Sequence, residues 1–250
     1  MRSVHVSVKE GETAVQDAYV GDIGDYGKYG LLRVLAGHGL RLGVNWYAVA
    51  SQKTGKQDDG KFIQYLLSPG EYRRYDPELF DALDNIVNHE KNRTLVRIEA
   101  LKLFPAQFYS VPLTGKREVW HHQALETLAG AELVFLDPDN GLETERMYQT
   151  GKSTEKHVRT EELADYYRRG QSVVLYQHRP QMTPKDRCIQ AVLDMQDRYL
   201  CADQVRILEF PRYTNRFYFF FLHRAHVSPV ERTCEYMKKH WTGLCRDIQA

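Results

Sequence analysis

Short apolar runs alternate along the chain with longer segments in which apolar residues recur at helical spacing. The run Leu133–Leu136 is flanked by polar and turn residues, which is typical of a strand covered on both faces of a parallel sheet. Residues 41–49 and 172–176 predict two further buried strands. Residues 77–91, which carry an apolar stripe, and residues 185–200 predict helices. The pattern therefore predicts strands connected by helices.

The last third of the chain predicts a change in strand direction. Residues 205–210 and 216–223 form two strand patterns separated by a short connection, which favours a β-hairpin. The whole order predicts an α/β fold with an open, doubly wound, mostly parallel sheet flanked by helices and a C-terminal antiparallel β-hairpin. No repeat or linker divides the chain, so we expect an N-terminal arm at residues 1–19 and a single Rossmann-like domain at residues 20–250.

A change from apolar to polar residues follows the central strand, in the segment Asp137-Pro138-Asp139-Asn140-Gly141. Pro138 favours an extended conformation at Asp137, and Gly141 can take the positive φ of a tight turn. Two carboxylates and an amide therefore stand at the carboxyl end of a buried strand, where open α/β sheets bind ligands. We predict Asp137 as the central acceptor of a site that Asp139 and Asn140 help to shape.

Glycines recur at positions 21, 24, 27 and 30, just before the apolar positions of the first predicted helix. Because each glycine weakens a helix by about 1 kcal/mol, this density indicates close approach of a ligand or of another backbone segment. Asp22, Asp25 and Lys28 are therefore candidates for one wall of the site. A capped helix with a glycine-rich start would have the same sequence, and both interpretations stay open at this point.

Other polar residues stand near the ends of predicted strands. His178 follows the strand at residues 172–176 and would neighbour Asp137. Glu99 would end a strand if residues 94–98 are extended; otherwise it is a solvated helix residue. Residues 143–160 have no regular period and predict a mobile lid or substrate loop. The remaining candidates are Trp46, Asp59 and Gly60 for a cofactor, and Lys61 and Arg216 for the substrate.

The chain has 250 residues, of which 42% are apolar, so it can form a large hydrophobic core. Its 34 basic and 33 acidic residues give a net charge of +1, which does not indicate a strongly basic nucleic-acid protein. Basic and aromatic residues nevertheless mix at 73–75, 166–169 and 212–216. These segments could contact a nucleic-acid partner, or they could simply form solvated surface. The four cysteines form no Cys-x-x-Cys pair, and no apolar run could span a membrane; we expect a cytoplasmic protein without a membrane partner.

The layout of residues 20–223 resembles the class I S-adenosylmethionine-dependent methyltransferase fold. The segment from Leu133 to Asn140 is similar to the fourth strand and the Asp/Asn-Pro-Pro-Tyr/Phe motif of amino-methylating enzymes. The glycine-rich segment with Lys28 and Leu31-Leu32-Arg33 is similar to the helix that precedes the first strand in 23S rRNA adenine-N6 methyltransferases and in three-Cys-motif partner proteins.

This resemblance implies that S-adenosylmethionine is the cofactor and that Asp137 accepts hydrogen bonds from a target amine. The chain departs from the motif, because Asp139 replaces its second proline and Asn140 replaces its stacking aromatic residue. The glycine-rich turn that usually follows the first strand is also missing after Val49. The resemblance implies a set of cofactor-binding residues, namely Asp22, Asp25, Trp46, Asp59, Gly60 and Glu99. It implies a second set for catalysis, namely Lys28, Asp137, Asp139, Asn140 and His178.

Two other classes of function remain open on the sequence. A nuclease or phosphohydrolase could hold Mg²⁺ or Mn²⁺ with Asp137 and Asp139, since these ions prefer hard oxygen ligands. Lys28, Lys61 or His178 would then assist at a phosphate or a water. A non-catalytic Rossmann-like binding module is the other class, because a fold alone does not determine a function. The sequence leaves the substrate and the oligomeric state undetermined.

Overall fold

A mixed sheet lies at the centre of the chain in the computed structural model, which describes residues 17, 19–49, 61–144, 147, 149–150, 155–180, 182–213 and 215–248. The strands in chain order are β1 Leu42–Asn45, β2 Ala106–Tyr109, β3 Leu133–Leu136, β4 Gly141–Leu142, β5 His157–Val158, β6 Ser172–His178, β7 Gln204–Phe210, β8 Arg216–Leu222 and β9 Arg246–Ile248. The helices are α1 Ile23–Gly37, α2 Pro69–Tyr72, α3 Pro77–Asp84, α4 Leu95–Leu101, α5 Arg117–Thr127, α6 Thr160–Arg168, α7 Lys185–Tyr199 and α8 Arg224–His240, with a 3₁₀ turn at Gln64–Leu67 and a π-helical segment at Asn85–Glu90.

Seven of the described strands form one sheet in the order β2-β1-β3-β6-β8-β7-β9. The first four strands are parallel to one another, and β8 pairs antiparallel with both β6 and β7. The strand β9 then pairs antiparallel with β7, and the short strands β4 and β5 form a separate parallel pair. The α/β fold class and the C-terminal antiparallel hairpin are therefore confirmed.

Both faces of the sheet are covered, as the unbroken apolar runs predict. Along β3, Leu133 and Phe135 pack into one hydrophobic cluster, whereas Val134 and Leu136 pack into the other. The first cluster includes residues of α1, α3, α4 and α8, and the second includes residues of α5, α6 and α7. This alternation is the period of two that a strand imposes, and it places helices on each side of the sheet.

The structure decides one open assignment and shifts two predicted boundaries. Residues 94–98 were open between strand and helix, and the helical alternative holds: α4 begins at Leu95, and the Thr94 side chain caps its start by accepting a 3.2 Å hydrogen bond from the Arg97 amide. The pattern of residues 108–113 predicts a short strand, whereas β2 begins at Ala106 and ends at Tyr109. The pattern of residues 230–244 predicts the last helix, whereas that helix begins at Arg224, and β9 follows it.

Two sequence expectations fall partly outside the described residues. The N-terminal arm at residues 1–19 is described only at Asp17 and Tyr19. The expected lid at residues 143–160 is described at 143–144, 147, 149–150 and 155–160. Within the described part of the chain, no helix is both long enough and apolar enough to cross a membrane.

Candidate functional site

A cavity of about 250 Å³ lies at the carboxyl ends of β3 and β6, beside the first turn of α1. The winding of the sheet reverses next to this cavity, between β1 and β3, because β2 lies on one side of β1 and β3 lies on the other. Open α/β sheets bind their ligands at such a switch point. Most of the residues that the sequence predicts for the site line this cavity, namely Asp22, Asp25, Lys28, Asp137, Asp139, Asn140, His178 and Arg216.

Lys28 joins two acids in the cavity wall. Its Nζ lies 2.7 Å from Asp137 Oδ2 and 2.9 Å from Asp25 Oδ1. The other oxygen of Asp25 accepts a 2.8 Å hydrogen bond from the Tyr29 hydroxyl. Asp25, Lys28 and Tyr29 share one face of α1, because residues three or four positions apart on a helix are neighbours. Among the described residues, Lys28 is the side chain that engages Asp137, so Oδ1 is the oxygen that remains for a ligand.

Burial controls the ionisation of this pair. It raises the pKa of Asp137 from 3.8 to about 6, against the opposing attraction of Lys28, and repulsion by Asp25 adds to the rise. Burial acts to lower the pKa of Lys28, but attraction by Asp137 and Asp25 outweighs it and holds that pKa well above its ordinary value. Asp137 is therefore a carboxylate at neutral pH that takes up a proton close to neutrality, which suits proton transfer.

Arg216 and Asp22 form the second charged pair of the cavity. Asp22 Oδ1 accepts a 2.9 Å hydrogen bond from the Asp25 amide and so caps α1, while its Oδ2 lies 3.8 Å from Arg216 Nη2. Burial and repulsion by Asp25 raise the pKa of Asp22. A Cβ at Gly24 would lie 2.6 Å from the Arg216 guanidinium. The glycines of α1 thus allow close approach of side chains, and not of another backbone segment.

The loop after β3 is held by Gln177, which follows the strand pattern at residues 172–176 and was not among the predicted site residues. Gln177 donates hydrogen bonds of 3.1 Å to the Asn140 carbonyl and 3.0 Å to the His178 carbonyl, and its Oε1 accepts one of 2.8 Å from the Leu142 amide. Gly141 has a φ of 111° and packs against this side chain, where a Cβ would collide with it. Gln177 therefore fixes the backbone that presents Asp137.

The polar residues after Asp137 also have partners. Asp139 Oδ2 lies 3.1 Å from the Lys156 ammonium, and the Asn140 amide donates a 3.0 Å hydrogen bond to the Lys156 carbonyl. The described end of the expected lid is thus attached to the cavity rim. His178 lines the cavity as well, and its pKa is lowered by burial and by repulsion from Arg216 and Arg179. Its imidazole is therefore neutral at neutral pH.

Two predicted cofactor residues lie behind the cavity rather than in its lining. Trp46 is fully buried and donates a 2.8 Å hydrogen bond from its indole to Glu99 Oε1. The same oxygen accepts a hydrogen bond from the Ser110 hydroxyl. Glu99 is therefore neither at a strand end nor a solvated helix residue, because it fixes the ring of Trp46. That ring lies 6.0 Å from the Lys28 ammonium, so Trp46 supports Lys28 from behind.

The remaining predicted residues cannot be assigned to the lining. Lys61 is exposed and is not part of it, although its neighbour Phe62 is. Asp59 and Gly60 lie outside the described residues.

Sequence reasoning missed several lining residues, and a signal existed for two of them. Tyr176 faces the cavity because it lies two positions before His178 on the same face of β6. Tyr29 lies one helical turn from Asp25 and could have been found by helical spacing. No local pattern indicated Tyr19, Phe62, Leu95 or Lys156, which the tertiary fold brings to the cavity from separate segments.

Metal binding was the alternative expectation for Asp137 and Asp139. Among the described residues, no group of three or more histidine, cysteine, aspartate or glutamate side chains is placed to hold a metal ion. The position between Asp25 and Asp137, where a cation would bridge two carboxylates, is taken by the Lys28 ammonium. This geometry does not favour Asp137 as a metal ligand.

A second cavity, of about 680 Å³, lies between α7 and the segment that follows β4. Gln177 lines this second cavity, and so do four residues of the expected lid, namely Glu143, Thr144, Gln149 and Thr160. None of the individual site residues predicted from the sequence lines it. Its wall includes Glu143, which is buried and whose Oε1 has no hydrogen-bond partner among the described residues.

Comparison with known proteins found a similar solved structure but no matching family model or curated protein. The crystal structure of LPL1258 from Legionella pneumophila strain Philadelphia 1, whose title gives the family model DUF519, is similar with a TM-score of 0.49. The two share 12% sequence identity over 91% of this chain and 96% of that one.

Proposed function

We propose that this chain is an S-adenosylmethionine-dependent methyltransferase-like enzyme that methylates an amino group in nucleic acid or in a nucleotide-like substrate. The observation that carries the proposal is the setting of Asp137, a buried acid that follows a central strand at the switch point of the sheet. Lys28 holds one of its oxygens at 2.7 Å, and the other is left for a ligand in the cavity. A fixed acceptor of this kind suits an amine that has to be oriented for reaction.

The chemistry proposed for Asp137 follows from its charge and its pKa. Its carboxylate accepts a hydrogen bond from the target amine, which directs the nitrogen lone pair towards the methyl donor. Methyl transfer would form an N–C bond as the methyl–sulfur bond of the donor breaks and a neutral thioether leaves. The nitrogen would then carry a positive charge, so one N–H proton must depart. With a pKa of about 6, Asp137 can receive that proton and release it to solvent. Lys28 keeps the carboxylate in place through this exchange.

The donor and acceptor set of the cavity fits the proposed cofactor. When bound, S-adenosylmethionine supplies an electrophilic methyl group on its sulfonium. Asp22 and Asp25 are buried acids that could accept from its ammonium group, and Arg216 could bind its carboxylate. Phe62 and Leu95 provide apolar surface for its adenine. The nuclease alternative is weaker, because Lys28 takes the position between Asp25 and Asp137.

Ligand-induced thermal stabilisation tests this proposal directly. We expect S-adenosylmethionine and S-adenosylhomocysteine to raise the Tm of the wild type, because a ligand specific for the native state stabilises it. Transfer of a labelled methyl group to nucleic acid should accompany that binding and should fall about 100-fold in Asp137→Asn. The matched control is Glu209→Gln, which alters another buried acid with a lysine at 2.7 Å that does not line the cavity.

The possible results separate the three functions. A metal-dependent hydrolase would be favoured if neither S-adenosylmethionine nor S-adenosylhomocysteine changed the Tm, while Mg²⁺ or Mn²⁺ raised the Tm of the wild type but not that of Asp137→Asn. Binding of S-adenosylmethionine with no methyl transfer to any nucleic acid would favour a binding module. Equal transfer by Asp137→Asn and by Glu209→Gln would refute the role of Asp137.

A further inference from the structure

Two aromatic rings stack beside the mouth of the cavity. Phe62 and Tyr213 have ring centroids 4.8 Å apart and an interplanar angle of 9°. Phe62 lines the cavity, whereas Tyr213 belongs to the connection between β7 and β8 and is 51% exposed. We call Phe62 and Tyr213, together with Lys61 and Arg212, the aromatic platform.

Two cations border these rings. The Lys61 ammonium lies 5.8 Å from the Phe62 ring centroid, and the Arg212 guanidinium lies 5.2 Å from the Tyr213 ring centroid. Arg212 also contacts the Tyr72 ring and approaches the Glu71 carboxylate at 3.8 Å. Its side chain is therefore held next to the stack. Stacked rings with cations within 6 Å of their centroids suit a ligand that combines flat rings with negative charge.

The backbone of Tyr213 is unusual for an aromatic residue. Its φ of 61° lies in the left-handed region, which costs a bulky side chain roughly 1–2 kcal/mol relative to ordinary conformations. The ring that this conformation directs remains half exposed, so burial of the ring does not explain the cost. The neighbouring backbone is fixed, since the Asn215 carbonyl accepts a 3.0 Å hydrogen bond from the Arg179 amide.

The other two segments that mix basic and aromatic residues are built differently. Tyr75 stacks on Trp241 and donates a hydrogen bond to the Thr242 carbonyl, while Arg73 pairs with Asp81. Tyr166 and Tyr167 are both buried in the core. Of these three segments, the one at 212–216 is where an aromatic ring lies open beside the cavity.

The platform is also continuous with the cavity. Arg216, which lines the cavity, donates a 3.2 Å hydrogen bond from its guanidinium to the Arg212 carbonyl. On the other side, the Phe62 carbonyl accepts a 3.0 Å hydrogen bond from the Ile23 amide at the start of α1. A ligand on the platform would therefore extend directly into the cavity between Phe62 and Arg216.

We infer that the aromatic platform binds an unpaired stretch of nucleic acid, with one base stacked on Tyr213 while the neighbouring nucleotide enters the cavity. Lys61 and Arg212 contact the phosphates of that stretch. This inference rests on the proposed function for the nature of the nucleotide in the cavity. It adds that the substrate is a strand without a pairing partner, since a paired base could not present its face to Tyr213.

Fluorescence anisotropy with labelled oligonucleotides of about 12 nucleotides tests the platform without any methyl transfer. We expect single-stranded RNA or DNA to bind more tightly than a duplex of the same sequence. Tyr213→Ala should raise the Kd for single strands about tenfold, and Tyr213→Phe should retain binding. Arg212→Ala and Lys61→Ala should each reduce the dependence of binding on salt by about one phosphate contact.

The matched control is Tyr236→Ala, because Tyr236 is also exposed and stacks on His240 at 4.3 Å but lies on α8 and does not line the cavity. Equal Kd values for Tyr213→Ala and Tyr236→Ala would overturn the inference, as would duplex binding as tight as single-strand binding or no nucleic-acid binding at all. Competition by a nucleoside monophosphate as strong as by the strand would also overturn it, since a free nucleotide would then suffice.

Failure of the inference is distinguishable from failure of the proposed function. Stabilisation by S-adenosylmethionine, measured on the same variants, should persist in Tyr213→Ala because that ring does not line the cavity. Loss of strand binding with intact stabilisation in that variant would support the platform.

Discussion

Two buried charged clusters lie near the carboxyl ends of the parallel strands, and they differ in what they leave unsatisfied. Each contains a carboxylate, a cation and a tyrosine: Asp137, Lys28 and Tyr29 in one, Glu162, Arg117 and Tyr47 in the other. Tyr29 packs in the hydrophobic cluster on one face of the sheet, and Tyr47 packs in the cluster on the opposite face.

Glu162 is saturated by its partners. Arg117 binds both its oxygens, at 2.5 and 2.9 Å, and its Oε2 also accepts from the Tyr47 hydroxyl and the Arg159 amide, each at 3.1 Å. Asp137 receives Lys28 on one oxygen and borders a cavity. The same ingredients thus build a structural cluster where every acceptor is used and a candidate site where one acceptor is left. Composition alone does not separate the two.

Removing the saturated acid should have the largest effect. Glu162→Ala removes the carboxylate that the largely buried Arg117 guanidinium binds through both oxygens, so we expect the free energy of unfolding to fall by about 3–5 kcal/mol in urea denaturation. Glu118→Ala is the control, because Glu118 is an exposed acid 3.6 Å from Arg159 and should change stability by less than about 0.5 kcal/mol. Similar losses in both variants would contradict the contrast between the clusters.

The stability contributed by Asp137 should depend on pH in the direction set by its raised pKa. Asp137 has a pKa of about 6 in the folded chain against roughly 3.9 when unfolded, so the native state binds more protons between these values. Its contribution to stability is present below about pH 4 and is lost as the pH rises to about 6. The wild type should therefore lose about 3 kcal/mol relative to Asp137→Asn over this range.

Urea denaturation of both proteins from about pH 4 to about pH 8 measures this difference. A difference in free energy of unfolding that stays constant, or that grows in favour of the wild type as the pH rises, would show that Asp137 is not held as described.

Replacement of Gln177, which holds the loop after β3, should have an intermediate effect on stability. Gln177→Ala removes three hydrogen bonds, and we expect a loss of about 2 kcal/mol together with weaker stabilisation by S-adenosylmethionine. Gln171→Ala offers a matched control at the opposite end of β6, where its side chain donates to two backbone carbonyls at 2.8 and 2.9 Å. If both variants reduce ligand stabilisation equally, Gln177 does not position the site.

The smallest effect is expected behind the cavity. Glu99→Gln keeps an oxygen that can accept from Trp46 and Ser110, so the free energy of unfolding should change by less than about 1 kcal/mol and ligand stabilisation should persist. Thermal denaturation with and without S-adenosylmethionine measures both. Loss of the ligand response in Glu99→Gln alone would restore Glu99 to the cofactor-binding residues.

The sequence predicted the larger elements because their patterns are local. The run Leu133–Leu136 has no polar position, which is what burial on both faces requires, and the structure divides it between two clusters. Residues 94–98 were ambiguous because so short a pattern fits both a strand and a helix. The Thr94 side chain caps helix α4, and such a local contact does not show in the spacing of apolar residues.

The sequence predicted those residues of the candidate site that directly follow a predicted strand. Asp137 and His178 follow central strands, and the parallel order of β3 and β6 brings them to one edge. The contact between Lys28 and Asp137, which are 109 positions apart, depends on the packing of α1 over the sheet. No local pattern encodes such a contact, because the charges meet only after both elements are buried.

The order of apolar and polar residues by itself determined the α/β class, most of the strands and the presence of acids at the end of β3. The tertiary structure decided which acid is saturated and which is left with an acceptor, and it separated the stacked ring of Tyr213 from the buried rings of similar segments. The physical reason is that burial and pairing act between segments far apart in the chain, whereas periodicity reports only on neighbours within one helix or strand.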